Sequence, residues 1–529
     1  MDLTYYPYPS RRHVVLGRRG AVATSQPLAA LAGMEMLLKG GNAVDAAIAM
    51  AATLTVVEPT SNGIGGDLFA MVWDGELHGL NASGKSPLRL TPDCVPEGGM
   101  PERGWLPVTV PGAVSGWRAL HERFGRLSFP EVLAPAIRYA EEGFPVGPET
   151  ARAWRRAEGI YLPLAGPEFQ AFKEVFFPQG RAPEAGEVWR SPGHARTLKE
   201  IGESYGESFY RGRLAEAMAD FSEATGGLLA LEDLASHEPE WVKPLSLNYR
   251  GLTVHELPPN GQGIAALLAL AILEGFELKP EDPFSYHLQI EAMRLALADA
   301  FRYVADPRHL EKPPQALLSP EYVASRRRLI GERALPQALP GVRPEGTVYL
   351  AAADGELMVS LIQSNYQGFG SGILIPDTGI ALQNRGLGFS LEEGHPNQVG
   401  PGKRPYHTII PGFLTQEGRP LGPFGVMGGF MQPQGHVQVV LALADFRLNP
   451  QVALDRPRWQ VVPGRGGEDR VVLEPGIPQA TALVLKDLGH RVAYEVEPGV
   501  FGRGQVVLRR GEVLVGASDP RAEGLALVW

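Results

Sequence analysis

The sequence predicts a mixed α/β fold in which segments from both ends of the chain share one domain around a largely helical middle. Three observations lead there. Helical patterns with a few strands fill the first hundred residues, helical periodicity dominates from about 112 to 330, and period-two alternation takes over after residue 347. At 529 residues, 44% hydrophobic and 20% charged, the chain has the composition of a folded protein with a large buried core. No internal repeat is visible.

Residues 1–20, MDLTYYPYPSRRHVVLGRRG, carry arginines but no apolar run of signal-peptide length, and later apolar runs are too short or interrupted to span a bilayer. A cytoplasmic protein with no membrane partner is expected. Ser25 is placed to cap a helix with Pro27 in its first turn, and LAALAGMEMLLKGG continues it as an amphipathic helix closed by Gly40 and Gly41. AVDAAIAMAATLTVV is apolar on every side, which predicts a helix inside the fold rather than on its surface. DLFAMVWDGELHGL predicts two strands about an Asp74-Gly75 turn, and LTVHEL a further strand. SYHLQIEAMRLALADAFRYVADP carries the strongest helical pattern of the middle region. Residues 331–346, GERALPQALPGVRPEG, hold three prolines and three glycines and predict a linker, a place where backbone cleavage is tolerated.

Composition and motifs exclude several functions. With 49 basic against 59 acidic residues, a formal charge of −10 and no basic block, a nucleic-acid partner is not expected; small molecules are. Cys94 is the only cysteine, so neither an internal disulfide nor a cysteine-based zinc cluster can form. Residues 79–86, GLNASGKS, match the phosphate-loop pattern, but the mechanism needs a helix to start there, and Pro87, Pro92 and Pro96 forbid a continuous one. GIGGDL and GFGSGI fail as dinucleotide fingerprints at Leu68 and Ile373. The twelve histidines show no HExxH and no compact pair with a carboxylate at ligand spacing, so a metal site could arise only by long-range assembly and none is expected. No G-x-S-x-G elbow occurs.

The stretch GTVYLAAADGELMVSLIQSNYQGFGSG (346–372), with NGIGGDLF (62–69), GKRPYHTIIP (402–411), GVMGGFMQPQGHVQ (425–438) and GASDPR (516–521), resembles the γ-glutamyltransferase family of N-terminal-nucleophile hydrolases. The likeness runs in the family's order from GAVATSQPLAALAG to the C-terminus. It implies a four-layer αββα sandwich with a helical insertion, and one self-inflicted cut between Gly346 and Thr347. The products would be a large piece, residues 1–346, and a small piece, residues 347–529. Thr347 is then the nucleophile. A threonine hydroxyl is weak at neutral pH and needs a base, and cleavage frees an α-amino group of pKa ~7.7–8.0 on the same residue to act as one.

Further roles carry over by position. Ser364 matches a second family threonine whose hydroxyl bonds the nucleophile. Asn365 and Tyr366 flank the position of a neighbouring asparagine, and the choice between them stays open. Gly428 and Gly429 match paired glycines whose N–H groups form an oxyanion hole. His407 and Thr408 fall where the family places two serines near the substrate carboxylate.

The departures concern the glutamate head. Ser83 occupies the position of the family's arginine, Arg385 that of a glutamine and Gly388 that of an aspartate. An ammonium group would lose its partner and face a guanidinium, whereas a carboxylate or carbonyl suits Arg385 and Lys85. The segment from Ser390 to Lys403 is shorter than the lid-bearing one, which implies an open site. This pattern is similar to the branch holding oxamate amidohydrolase and cephalosporin-acylase-like proteins. The reading is therefore an autoprocessed amidohydrolase for amides of a small acidic acyl group, with no cofactor, as a homodimer of processed protomers by family habit. Two alternatives stand beside it: an authentic γ-glutamyl hydrolase or transferase on glutathione-like donors, and an unprocessed homologue that only binds.

Overall fold

The computed structural model describes residues 12–336, 347–462 and 469–529, so Gly346 and most of the expected linker lie outside the described residues. Two seven-stranded, wholly antiparallel sheets form the centre. The first runs Leu525–Val528, Gly20–Thr24, Val348–Asp354, Met358–Ser364, Asp67–Trp73, Leu77–Asn81, Glu240–Val242. The second runs Val15–Gly17, Val513–Ser518, Arg503–Arg510, Arg419–Met427, Gly412–Gln416, Leu252–Glu256, Leu245–Tyr249. Strands from both ends of the chain thus interleave, and Gly20–Thr24 lies hydrogen-bonded between two segments from beyond residue 347.

The alternation of the strands builds the layers. In Val348–Asp354, Tyr349, Ala351 and Ala353 face the second sheet and meet Phe413, Met427 and Val507, while Val348, Leu350 and Ala352 face helices. The helix Ala43–Val57 has all fifteen residues buried, because the first sheet covers one side and helices Pro27–Leu38 and Phe129–Glu142 the other. An interior helix needs no polar face, as its apolar sequence predicts. Helices Gly263–Leu273, Pro283–Tyr303 and Met431–Ala444 cover the outer face of the second sheet. The result is helix, sheet, sheet, helix.

Two expectations need correction. Ser25 does not cap the first helix: Gln26 does, its Oε1 accepting from the N–H of Leu28 and Ala29, while the Ser25 hydroxyl donates to Glu58. Nor is 112–330 simply a helical insertion. Its helices from Ala113 to Ala235 pack beside the helical layer of the first sheet, but 240–256 supplies three strands and 263–303 two helices of the sandwich itself. Helical periodicity cannot distinguish a helix that covers a sheet from one in an inserted subdomain. Among the described residues, no helix is long and apolar enough to cross a membrane.

Burial makes the fold acid-sensitive. It lowers the pKa of His194, His255 and His407 to about 4, and of His237 and His490 to about 3. Below pH ~6.5 the unfolded chain binds protons that these native rings refuse, so stability is full above that pH and falls as pH drops from ~6.5 to ~4. Urea titrations across that interval should show a loss of several kcal/mol or more, since each ring contributes about 3 kcal/mol by pH ~4, and a flat profile would contradict it.

Candidate active site

Thr347 stands immediately ahead of Val348–Asp354, near the middle of the first sheet. That strand pairs Val348 with Gln363, which brings Thr347 opposite Ser364, and Ser364 in turn pairs with Asp67. Three polar residues therefore line up across three adjacent strand ends. Parity aims all three between the sheets, because Tyr349, Ile362 and Phe69, two positions along each strand, belong to the inter-sheet core. All three are buried. Thr347 Oγ1 donates to Ser364 Oγ at 3.2 Å.

Arg385 closes this row. Its Nη2 donates to Ser364 Oγ at 3.4 Å and its Nη1 to Thr408 Oγ1 at 2.7 Å. Its Nε lies 4.0 Å from Asp67 Oδ2, and its guanidinium stacks 4.0 Å from the ring centroid of Tyr366. Arg385 is fully buried, so it is not a surface ion pair. Asp67 also accepts from the Gly84 N–H at 3.1 Å and lies 2.9 Å from His407 Nε2. Burial first, then the positive charge of Arg385, lowers the His407 pKa to about 4, which leaves the ring neutral at pH 7. One buried carboxylate thus faces one buried guanidinium and a neutral imidazole.

Tyr366 has φ +74°, a left-handed conformation that costs a non-glycine residue about 1 kcal/mol or more. Its N–H bond to Ser364 Oγ at 2.8 Å and the guanidinium over its ring hold it there. Asn365 turns elsewhere: its Nδ2 donates to Phe369 O at 3.3 Å, and its amide packs on Gly63 and Gly66.

From the second sheet, Gly428 and Gly429 follow Arg419–Met427 and precede the helix Met431–Ala444, whose N-terminus adds positive potential. Their φ values of +126° and +58° suit glycine. Gln262 Nε2 donates to both Thr408 O, at 2.6 Å, and Gly429 O, at 3.0 Å, so direct hydrogen bonds run from Thr347 through Ser364, Arg385, Thr408 and Gln262 to Gly429. A Cβ on Gly428 would meet Gly502 Cα at 3.1 Å. Gly428→Ala is expected to cut kcat about 100- to 1000-fold by displacing an oxyanion donor, and to lower stability by about 1–3 kcal/mol because alanine is strained at this φ; unchanged kcat in steady-state assays would refute that role.

Two expected substrate residues lie outside this row. Ser83 is buried in an amide cluster, donating to Asn81 Oδ1 at 2.7 Å and accepting from Asn260 Nδ2 at 3.2 Å; it is tied to the site through Asn260, whose carbonyl accepts from the His407 N–H, and through the next peptide N–H, that of Gly84, which donates to Asp67. Lys85 lies among Arg404, Arg308, Glu240 and Asp306, its pKa lowered by burial and by those arginines. Gly388 packs on Tyr406 O. The GLNASGKS segment is not a phosphate loop: no α-helix follows it, the Gly84 N–H is given to Asp67, and Ser86 Oγ donates to Gly400 O.

Asp67, Asn260 and Gln262 were not singled out from the sequence. Asp67 carried a signal, a charged residue heading an otherwise apolar strand in GGDLFAMVW, the same oddity as Thr347. Asn260 and Gln262 sit in LPPNGQG, where turn composition masks their role. A cavity of ≈ 320 Å³ is lined by Gln367, Arg103, Tyr161, Gly499 and Arg503 among others. Its wall is tied to the network through neighbours, as the Gln367 N–H donates to Asn384 beside Arg385, and Arg503 follows the Gly502 that packs on Gly428.

Comparison with known proteins gives a consistent picture. The family model described as gamma-glutamyltranspeptidase matches residues 29–529. The glutathione hydrolase-like YwrD proenzyme of Bacillus subtilis is 36% identical over 97% of this chain and 99% of its own length. The oxamate amidohydrolase proenzyme of Klebsiella pneumoniae is 34% identical over 96% of this chain and 98% of its own. The crystal structure of cephalosporin acylase from Bacillus halodurans superposes with a TM-score of 0.95 at 52% identity, covering 100% of this chain and 99% of that one.

Proposed function

The chain belongs to the gamma-glutamyltranspeptidase family, and from that premise we propose that it is a self-processing amidohydrolase whose nucleophile is Thr347 and whose substrates are amides of small acidic acyl groups. The supporting observation is the row Thr347, Ser364, Arg385: a buried hydroxyl at a strand end, held by a second hydroxyl that a guanidinium also touches.

In this reading Thr347 Oγ1 first attacks the carbonyl of Gly346, and the peptide bond becomes an ester. Water then hydrolyses the ester, leaving a carboxylate on Gly346 and a free amine on Thr347. In turnover that amine takes the hydroxyl proton as Oγ1 attacks the substrate amide. The N–H groups of Gly428 and Gly429 bear the oxyanion, and the proton passes to the departing amine. Water attacks the acyl-enzyme and restores the hydroxyl.

The charge arrangement supports the acidic acyl group. The carboxylate of this network, Asp67, already meets Gly84, His407 and Arg385, so a substrate ammonium would find it engaged. A substrate carboxylate instead suits the guanidinium of Arg385, whose Nη1 and Nη2 donate to the hydroxyls of Thr408 and Ser364. The likeness to an oxamate amidohydrolase and a cephalosporin acylase favours the same class. The test is side-by-side turnover of oxamate, a glutaryl amide and a γ-glutamyl anilide by cleaved protein. The acidic amides are expected to turn over at least 10-fold faster; turnover of the γ-glutamyl compound alone rejects the substrate class and returns the γ-glutamyl reading.

A further inference from the structure

A second cluster of titratable groups lies away from Thr347, on the outer helical layer of the second sheet. Helix Pro283–Tyr303 places His287 and Glu291 one turn apart, and His490, just beyond helix Gln479–Asp487, meets them. All three residues are buried, and one donor atom from each lies within 4.8 Å of the others. The expectation of no histidine–carboxylate pair at ligand spacing is thereby corrected: the pair is present within one helix, and its third member comes from some two hundred residues later.

We propose that His287, His490 and Glu291 bind a divalent transition cation of the zinc type, with water in the fourth position. Two imidazoles and one carboxylate form a borderline donor set that suits such an ion. The ring orientations fit. His287 Nε2 lies 2.9 Å from Gly331 O, which can only accept, so Nε2 carries the proton and the Nδ1 lone pair points at His490 Nε2, 2.8 Å away. A backbone carbonyl on the far ring nitrogen is the support that metal-bound histidines commonly have.

Ligand bonds of ~2.0–2.1 Å in a tetrahedral site put two nitrogens about 3.3 Å apart, so the rings need to separate by only about half an ångström. The His490 proton then moves to Nδ1, the nitrogen 3.9 Å from Glu291 Oε1. Arg294 Nη1 donates to Glu291 Oε1 at 2.6 Å, but Arg294 also pairs with Asp469, whose charge offsets the guanidinium and leaves the carboxylate charge of Glu291 to face a cation.

The position suggests what the ion does. His287 and Glu291 precede Thr347 in the chain and His490 follows it. Glu291 Oε2 also accepts from the Leu335 N–H at 2.8 Å, and Ala334 N–H donates to Leu488 O at 2.8 Å. A cation here would clasp the two pieces that a cut before Thr347 creates. The site itself does not depend on that cut.

The experiment titrates chelator-treated full-length protein with Co2+, read by visible absorption. One equivalent is expected to give the intense bands of four-coordinate cobalt and to be displaced by Zn2+. His287→Gln and His490→Gln should each weaken binding at least 100-fold, whereas Thr347→Ala should keep it. Absence of a four-coordinate spectrum in the wild type, or its survival in both histidine variants, overturns the proposal. If the variants do not fold, the wild type decides by thermal unfolding: Zn2+ should raise Tm where Mg2+ does not, and equal Tm values overturn the site.

Discussion

Thr347→Ala is expected to leave a single 57.1 kDa polypeptide and no amidase activity, where the wild type yields two shorter chains. The side chain removed is at once the attacking group of the cut and of turnover, so both disappear together and activity should drop to the uncatalysed background. The loss should not be one of folding. The hydrogen bond that the threonine hydroxyl donates to Ser364 is worth about 1 kcal/mol in a large protein. Thr347→Ser retains the hydroxyl and is expected to cleave itself and turn over substrate, more slowly because it lacks the methyl group that restricts the rotamer. Denaturing gels and intact mass, followed over days, check both variants. A wild-type chain that is active while intact from Met1 to Trp529 would remove the basis of the mechanism.

Substitution of Arg385 should have the second-largest effect, and its pH dependence distinguishes a role in the chemistry from one in packing. The guanidinium lies one hydroxyl away from Thr347, so its positive charge disfavours protonation of the α-amino group freed there and lowers that pKa. The acidic limb of kcat/KM, which reports the free base, should therefore lie below the ordinary amine range of ~7.7–8.0. Arg385→Met is expected to shift the limb upward by up to about one unit and to cut kcat/KM for an acidic amide about 10- to 100-fold, the value of charge-assisted hydrogen bonds of ~1.5–3 kcal/mol. Because Asp67 then stays buried opposite an apolar chain, stability falls too, by ~3–5 kcal/mol. Arg385→Lys separates the two effects: the charge and the limb remain, while the paired contacts to Thr408 and Ser364 are lost and KM rises. An unshifted limb in Arg385→Met would show that this charge does not reach the amine.

Much of the arrangement was legible in the chain itself, for identifiable reasons. Ala43–Val57 announced its burial because a helix apolar all round has no face to give to water. Thr347 stood out as a polar residue opening an apolar strand behind a proline-rich segment. The phosphate-loop match failed on its prolines, and the structure gives its glycine N–H to a carboxylate instead. Other features were out of reach. Gln26 displaced Ser25 as a cap because Ser25 found a partner, Glu58, thirty-three residues away. Lys85 was expected to suit a substrate carboxylate by its charge, and what only the fold shows is that it lies among Arg404, Arg308, Glu240 and Asp306.

The sequence by itself determined which residues can react: a threonine that a cut would expose, glycines able to hold left-handed turns, an arginine able to pair with a carboxylate. These are local properties, set by side-chain chemistry and by φ preferences that travel with the residue. Only the tertiary structure decided which of them meet. Antiparallel register sets Thr347, Ser364 and Asp67 side by side across strands nearly three hundred residues apart, and it gives Arg385 a carboxylate that turns a lone buried cation into a balanced pair. Register and long-range charge pairing are properties of the packed sheets, so no stretch of the chain read alone contains them.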